Sequence, residues 1–149
     1  MDKGTSSENN FTLNSLLDDY NVVIPVIQRD YAQGRSGCEN IRREIITDIY
    51  KALGSNNQEL CMDFVYGESV KINEKETFYP LDGQQRLTTL WLIHWYLLFR
   101  RCSLMERIQQ PALLTALEKF SYQTREESKY FFKNLCELDK FYNLCIESV

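Results

Sequence analysis

The stretch FYPLDGQQRLTTLWLIHWYLLFRR, Phe78–Arg101, decides the fold because it predicts a strand, a tight polar turn and a long helix in direct succession. A short strand ends at Leu81, and an apolar helix runs from about Gln85 to Arg101. A strand that passes at once into a helix leaves backbone N–H groups facing out of the turn. We therefore expect the chemistry of this chain to lie at the DGQQR turn.

Arg86 is the residue in this turn that helix rules do not explain. A cation in the first helical turn opposes the helix dipole, and sequences tend to break such local rules at functional sites. A bound anion such as a phosphate would turn this cost into a binding device, whereas the alternative is that Arg86 pairs with a nearby carboxylate. The turn chemistry leaves both interpretations open.

Asp82 has two candidate roles in the same turn. It could cap the helix, with Gln85 three residues later completing a capping box. It could also hold a magnesium ion that bridges phosphate groups, or orient an attacking water molecule. Capping is compatible with either of these roles.

Length and composition predict one globular domain. A chain of 149 residues with 44% hydrophobic and 13% aromatic residues can bury a substantial core. Residues 1–10 are polar and predict a disordered arm, so we expect a single domain over residues 11–149, as the amino-terminal part of a longer protein. The net charge of −4 gives no overall electrostatic footprint for nucleic acid.

Cysteine and histidine usage disfavours several kinds of site. The five cysteines form no C-x-x-C pair, and a single histidine, His94, falls within the predicted long helix. A zinc site and a Ser/His/Asp or Cys/His catalytic arrangement are therefore not expected, and reduced thiols are the simple interpretation. The apolar run Leu90–Phe99 is shorter than the ~20 residues that cross a bilayer, and no signal peptide is visible. We expect a cytoplasmic protein with no membrane contact.

The remaining elements predict an α+β fold in which a small mixed sheet is flanked by helices and the long helix is buried at the centre. Pro25 makes the segment around it an edge strand or an extended segment, and the histidine of the long helix is interpreted as a packed core residue. The predicted elements, in chain order, are a helix within Phe11–Tyr20, an extended segment Val22–Ile27, an amphipathic helix Glu39–Leu53 followed by Gly54 as its C-cap, strands Met62–Val70 and Thr77–Leu81, a helix beginning at Pro111 and a last helix Arg125–Leu138.

A second polar loop, QRDYAQGR from Gln28 to Arg35, directly follows the predicted extended segment. Polar loops behind buried strands often carry binding groups, although a solvated turn is the alternative. If both strands lie in one sheet, this loop and the DGQQR turn could converge, and Arg29 and Arg86 would present bidentate forks to phosphate oxygens. Arg125 repeats the pattern of a cation at a helix start.

Four segments together resemble the amino-terminal domain of GmrSD-type modification-dependent restriction proteins. These segments are IPVIQRDYAQGR (Ile24–Arg35), FVYG (Phe64–Gly67), YPLDGQQRLTTL (Tyr79–Leu90) and SYQTREES (Ser121–Ser128). The DGQQR stretch is the specific part. One departure is Gln33, which stands where many relatives carry a tryptophan, and this puts in doubt the base or wall contact of such a ring.

The resemblance implies a fold similar to the ParB/sulfiredoxin fold and a nucleotide site on the Arg-containing turn. It implies an NTP-hydrolysing or nucleotide-sensing domain that controls a DNA-cleaving domain, carboxy-terminal or separate, in defence against phage with modified DNA. By matching motif, Asp82 and Arg86 would belong to this site, where we expect them to be catalytic, with Mg as the cofactor held by Asp82. The nucleotide-binding residues would be Gln28, Arg29, Tyr31, Gly83, Gln84, Gln85 and Arg125.

Two other functions stay open at this point. A ParB-like DNA-binding module could use the nucleotide only as a switch without hydrolysis, although the acidic net charge argues mildly against it. A protein-interaction module would bind no nucleotide at all. DNA cleavage by this chain alone is not expected, because histidine-dependent nuclease motifs cannot be built from it, so DNA would be reached through the full-length protein.

Overall fold

A computed structural model of the chain describes residues 11–25, 35–55, 60–72, 74–105, 111–123 and 126–147. Within these ranges the fold is α+β, as the sequence predicts. The elements in chain order are α1 Leu13–Asp19, β1 Asn21–Ile24, α2 Glu39–Gly54, β2 Gly67–Ile72, β3 Lys75–Pro80, α3 Gln84–Met105, α4 Pro111–Leu117, β4 Phe120–Tyr122, α5 Glu126–Cys136 and α6 Leu138–Glu147.

The four described strands form one mixed sheet in the order β2-β3-β1-β4. β2 and β3 are an antiparallel hairpin, whereas β1 is parallel to both β3 and β4. The prediction of an edge position for β1 is wrong. Pro25 follows the last strand residue, Ile24, so the missing N–H of proline does not interrupt either ladder.

Helix α3 is the centre of the core. Trp91 is fully buried on it and packs edge-on against Phe132 of α5, with ring centroids 4.6 Å apart, and against Phe120 of β4. The Trp91 indole N–H donates a 2.9 Å hydrogen bond to the carbonyl of Leu117 at the end of α4. The prediction of a central helix is confirmed, although its other side leaves Tyr96 exposed.

The last three elements, β4, α5 and α6, differ most from the prediction. The predicted elements include no strand after Leu81, yet β4 ends at Tyr122, and the Tyr122 ring is buried between Phe120 and Phe132. The predicted last helix, Arg125–Leu138, is replaced by two, because α5 ends at Cys136 and α6 begins at Leu138. The buried Phe141 of α6 packs against Trp95 and Phe99 of α3.

Candidate functional site

The DGQQR turn connects β3 to α3 through three residues, Leu81, Asp82 and Gly83. The backbone N–H groups of Leu81 and Asp82 both donate to the carbonyl of Tyr66, at 2.8 and 3.1 Å. Gly83 has a φ of +83°, and its carbonyl accepts the first helical hydrogen bond from Leu87 N at 2.9 Å. α3 therefore begins after Gly83, and Asp82 stands one residue too early for the predicted capping box.

Gly83 is required at this point for two reasons. Its positive φ is a conformation that residues with a Cβ rarely adopt. A Cβ at Gly83 would also lie 2.6 Å from Cγ2 of Val65. The turn thus lies directly against the segment Asp63–Tyr66, which precedes β2 and which we call the strap. The predicted strand Met62–Val70 is shorter than expected, since the ladder begins only at Gly67.

Arg86 joins the turn to the strap. Its Nη2 donates to the carbonyl of Phe64 and lies 3.3 Å from Oδ2 of Asp82, while its Nη1 lies 3.5 Å from Oδ2 of Asp63. Of the two interpretations left open for Arg86, the contacts observed are those of the second, pairing with nearby carboxylates, here Asp63 and Asp82. Both are exposed and farther away than the ~2.7–2.9 Å of a strong charge-assisted hydrogen bond.

The Arg86 guanidinium also has one enclosed nitrogen. Nε is buried and has no hydrogen-bond partner within the part of the chain that the structure describes. The cation is thus three-quarters buried, with 26% of its side chain exposed; it donates to the Phe64 carbonyl, and only its two carboxylate contacts are long. Buried donors are normally hydrogen-bonded, so the enclosed Nε is an unusual feature of this side chain.

The strap has a strained point beside this cation. Asp63 has a φ of +70°, in the left-handed region that aspartate tolerates better than most residues. Its Oδ1 accepts a 2.9 Å hydrogen bond from the N–H of Phe64, while Oδ2 faces Arg86. One carboxylate thereby holds both the strap backbone and the Arg86 side chain.

A buried hydroxyl pair fixes the first turn of α3 from the other side. Thr88 Oγ1 donates to the carbonyl of Gln84 at 2.8 Å and lies 2.6 Å from the hydroxyl of Tyr122 on β4. The Gln84 side chain is buried, and Gln85 is half-buried with its carbonyl accepting from Thr89 Oγ1 at 2.8 Å. Sequence reasoning missed Thr88 and Tyr122; the signal was a polar Thr-Thr pair inside an otherwise apolar helix.

The other predicted site residues cannot be placed. Gln28, Arg29, Tyr31 and Arg125 lie outside the described residues. The described backbone does show that the parallel strands β1, β3 and β4 run to the same edge of the sheet, where the DGQQR turn follows β3. A shared site for Arg29 and Arg86 stays a prediction.

Two buried cysteines are not available as nucleophiles at neutral pH. Burial raises the pKa of the Cys136 thiol to about 12, and the carboxylate of Glu118 adds to the effect. Burial also raises the pKa of Cys145. Because the reactive form of cysteine is the thiolate, these two thiols are part of the core.

Metal-binding capacity at the turn is limited to Asp82 and its surroundings. Among the described residues there is no group of three or more His, Cys, Asp or Glu side chains that could hold a metal ion. His94 is half-buried and its Nδ1 lies 2.8 Å from the carbonyl of Leu90 in its own helix, as the packed-histidine interpretation predicts. No helix among the described residues is long and apolar enough to cross a membrane.

Comparisons with known proteins give one finding. The model of the family described as GmrSD restriction endonuclease, N-terminal domain, matches residues 13–149. No curated protein and no solved structure matches the chain. The ParB/sulfiredoxin-like core thus remains an implication of the sequence resemblance.

Proposed function

The chain belongs to the family of GmrSD restriction endonuclease N-terminal domains, and on this premise we propose that it binds a nucleoside triphosphate at the DGQQR turn. Membership implies a role in modification-dependent restriction. The proposed site consists of the first turn of α3 with Asp82, Gly83, Gln84, Gln85 and Arg86.

The observation that carries this proposal is the setting of Arg86. Arg86 lies in the first turn of α3 with a three-quarters-buried side chain, and its carboxylate partners are exposed and 3.3–3.5 Å away. A phosphate group carries more charge and could bind the guanidinium in a bidentate manner, as arginine does at many phosphate sites. The N–H groups and dipole of the α3 N-terminus would favour the same anion.

Hydrolysis would require few further groups from the protein. Water would attack the γ-phosphorus, the bond to the β,γ-bridging oxygen would break, and nucleoside diphosphate and inorganic phosphate would leave. Catalysis of such transfers rests mainly on positioning and charge stabilisation. Arg86 would stabilise the charge that develops on the phosphoryl oxygens, while Asp82 would either orient the water or hold magnesium.

Magnesium is compatible with this turn only together with the substrate. Mg²⁺ in phosphate-transfer sites is commonly held by one or two carboxylates plus the phosphates and water. Asp82 supplies one exposed carboxylate, and the described chain contains no larger cluster of ligands. Bound magnesium would neutralise phosphate charge, and Asp82 is the residue that would hold it.

Regulation of a DNA-cleaving domain is a further part of the proposal, and family membership supports it. The family name describes this region as one domain of a restriction endonuclease, so a nuclease domain is the natural partner. Nucleotide binding at the turn would change the strap and the Arg86 contacts, which are the parts of the site that a partner domain could sense. DNA would be contacted by the complete protein.

Titration calorimetry with GTP, CTP, UTP and ATP plus magnesium tests the binding step. We expect saturable binding to the unaltered chain and its loss in Arg86→Ala. Arg100→Ala is the matched control, because Arg100 is exposed and lies on the same helix about 21 Å away by helical rise. Binding that survives Arg86→Ala, or that is lost equally in the control, would contradict the proposed site.

Asp63→Asn tests whether the Asp63 carboxylate competes with a bound phosphate for Arg86. A phosphate bound to Arg86 would approach the Asp63 carboxylate, and like charges repel. The side-chain amide oxygen of asparagine can replace the carboxylate oxygen that accepts from Phe64 N, so the strap backbone keeps its hydrogen bond. We expect inorganic triphosphate to bind severalfold more tightly to this variant, whereas weaker binding would assign Asp63 a direct role in holding the ligand through magnesium.

A further inference from the structure

The strap carries two large aromatic rings that the core does not use. Phe64 is 73% exposed and Tyr66 is 61% exposed, while Val65 between them is half-buried against Gly83. The strap therefore leaves two aromatic side chains exposed directly beside the DGQQR turn. Among the described residues, neither ring packs against another aromatic ring, although ten other such pairs are present.

The backbone of both residues is fixed to the proposed phosphate site. The carbonyl of Phe64 accepts from Arg86, and the carbonyl of Tyr66 accepts from the N–H groups of Leu81 and Asp82. The rings are therefore exposed at positions that the DGQQR turn itself determines. An exposed aromatic side chain on a fixed backbone loses little conformational entropy when it binds a partner.

We propose that Phe64 and Tyr66 form a stacking platform for the base of the nucleotide whose phosphates bind at Arg86. This inference rests on the proposed function and adds the recognition of the base to it. Stacking uses the face that every base offers, so the platform favours nucleotides over base-free polyphosphates without selecting strongly among bases. The strap would then contact the base through its two rings and support Arg86 at the phosphates.

The deciding experiment compares ATP and GTP with inorganic tripolyphosphate, which has the phosphates and lacks the base. For the unaltered chain we expect both nucleotides to bind at least about tenfold more tightly than tripolyphosphate. The double substitution Phe64→Leu/Tyr66→Leu keeps apolar side chains and removes both aromatic faces. It should weaken nucleotide binding about five- to a hundredfold and leave tripolyphosphate binding unchanged.

Two further variants separate stacking from structure. Phe64→Tyr/Tyr66→Phe retains both rings and should restore nucleotide affinity to within about twofold. Tyr50→Leu removes a ring of similar exposure, 77%, from α2. It should change the affinity for neither nucleotides nor tripolyphosphate. Because all these side chains are exposed, thermal unfolding should confirm that each variant folds.

The outcomes distinguish the platform from the phosphate site. Equal affinity for nucleotides and tripolyphosphate, or nucleotide binding unaffected by the double leucine substitution, would overturn the platform while the phosphate site stands. Equal weakening of both ligands would show that the strap only supports Arg86, which also overturns the platform. Failure of the unaltered chain to bind any of the three ligands would overturn the proposed function itself, and the platform with it.

Discussion

Helices α2 and α3 are both predicted from apolar periodicity, yet the structure uses them in opposite ways. α3 buries Trp91, Leu87 and Leu98 against several elements. α2 has a clear stripe of isoleucines, but across its sixteen described residues no side chain is buried, and Leu53 is 79% exposed. Periodicity identifies which face of a helix is apolar. It does not reveal whether that face is covered by the same chain.

Substituting Trp91 gives the largest expected difference between the two helices. Trp91→Ala removes a fully buried ring together with its hydrogen bond to Leu117. We expect a loss of about 3–5 kcal/mol in the free energy of unfolding, measured by urea denaturation. Tyr96→Ala, on the exposed side of the same helix, should stay within about 0.5 kcal/mol. A loss at Tyr96 as large as the loss at Trp91 would show that both sides of α3 are buried in solution.

Gly83→Ala tests the contact between the start of α3 and the strap. Alanine would combine a left-handed backbone with a collision against Val65, so we expect a loss of about 1–3 kcal/mol. Gly37→Ala is the matched control, because Gly37 also has a positive φ, +88°, but open space around it.

The difference between the two glycine variants isolates the contact with Val65. If Gly83→Ala costs no more than Gly37→Ala, the strap does not press on the turn in solution. If it costs more, the double variant Gly83→Ala/Val65→Ala should recover part of the loss, since the smaller side chain leaves room for the new Cβ. Urea denaturation curves measure all three variants on one scale.

Removing the Tyr122 hydroxyl should have a smaller effect at the other side of the turn. Tyr122→Phe leaves the ring in its stack and takes away the partner of Thr88 Oγ1. Thr88 still donates to the Gln84 carbonyl, so we expect a loss of about 0.5–1.5 kcal/mol. Tyr130→Phe, whose ring is exposed, serves as control and should change nothing. A loss above about 3 kcal/mol would mean that the hydroxyl pair stabilises more of the fold than the first turn of α3.

The DGQQR turn was predictable because its signals are local. The strand, the glycine and the helix follow one another within a few residues, and Arg86 violates a rule that concerns one helical turn. Asp82, one partner of Arg86, lies in the same motif, but the other partner, Asp63, was not predictable in this way because it lies 23 positions earlier. The sequence alone does not show which of the distant carboxylates lies close to Arg86 in the folded chain.

Element boundaries failed where tertiary contacts override local composition. β4 is a strand of only three residues. It is stabilised by parallel pairing with Val22, Val23 and Ile24 of β1. The break between α5 and α6 carries no glycine or proline signal. Helix α6 is set by the burial of Phe141 beneath α3, which no local pattern reports.

The smallest expected effect concerns α2 and completes the comparison of the two helices. Leu53→Gln and Ile46→Gln replace exposed apolar side chains with a good helix former. Each should change the free energy of unfolding by less than about 0.5 kcal/mol, while Leu98→Gln in α3 should lose several kcal/mol because it buries an amide. Urea denaturation at low protein concentration measures all three. A loss above about 1 kcal/mol at either α2 position would show that the α2 stripe is covered in solution, and the contrast between α2 and α3 would then disappear.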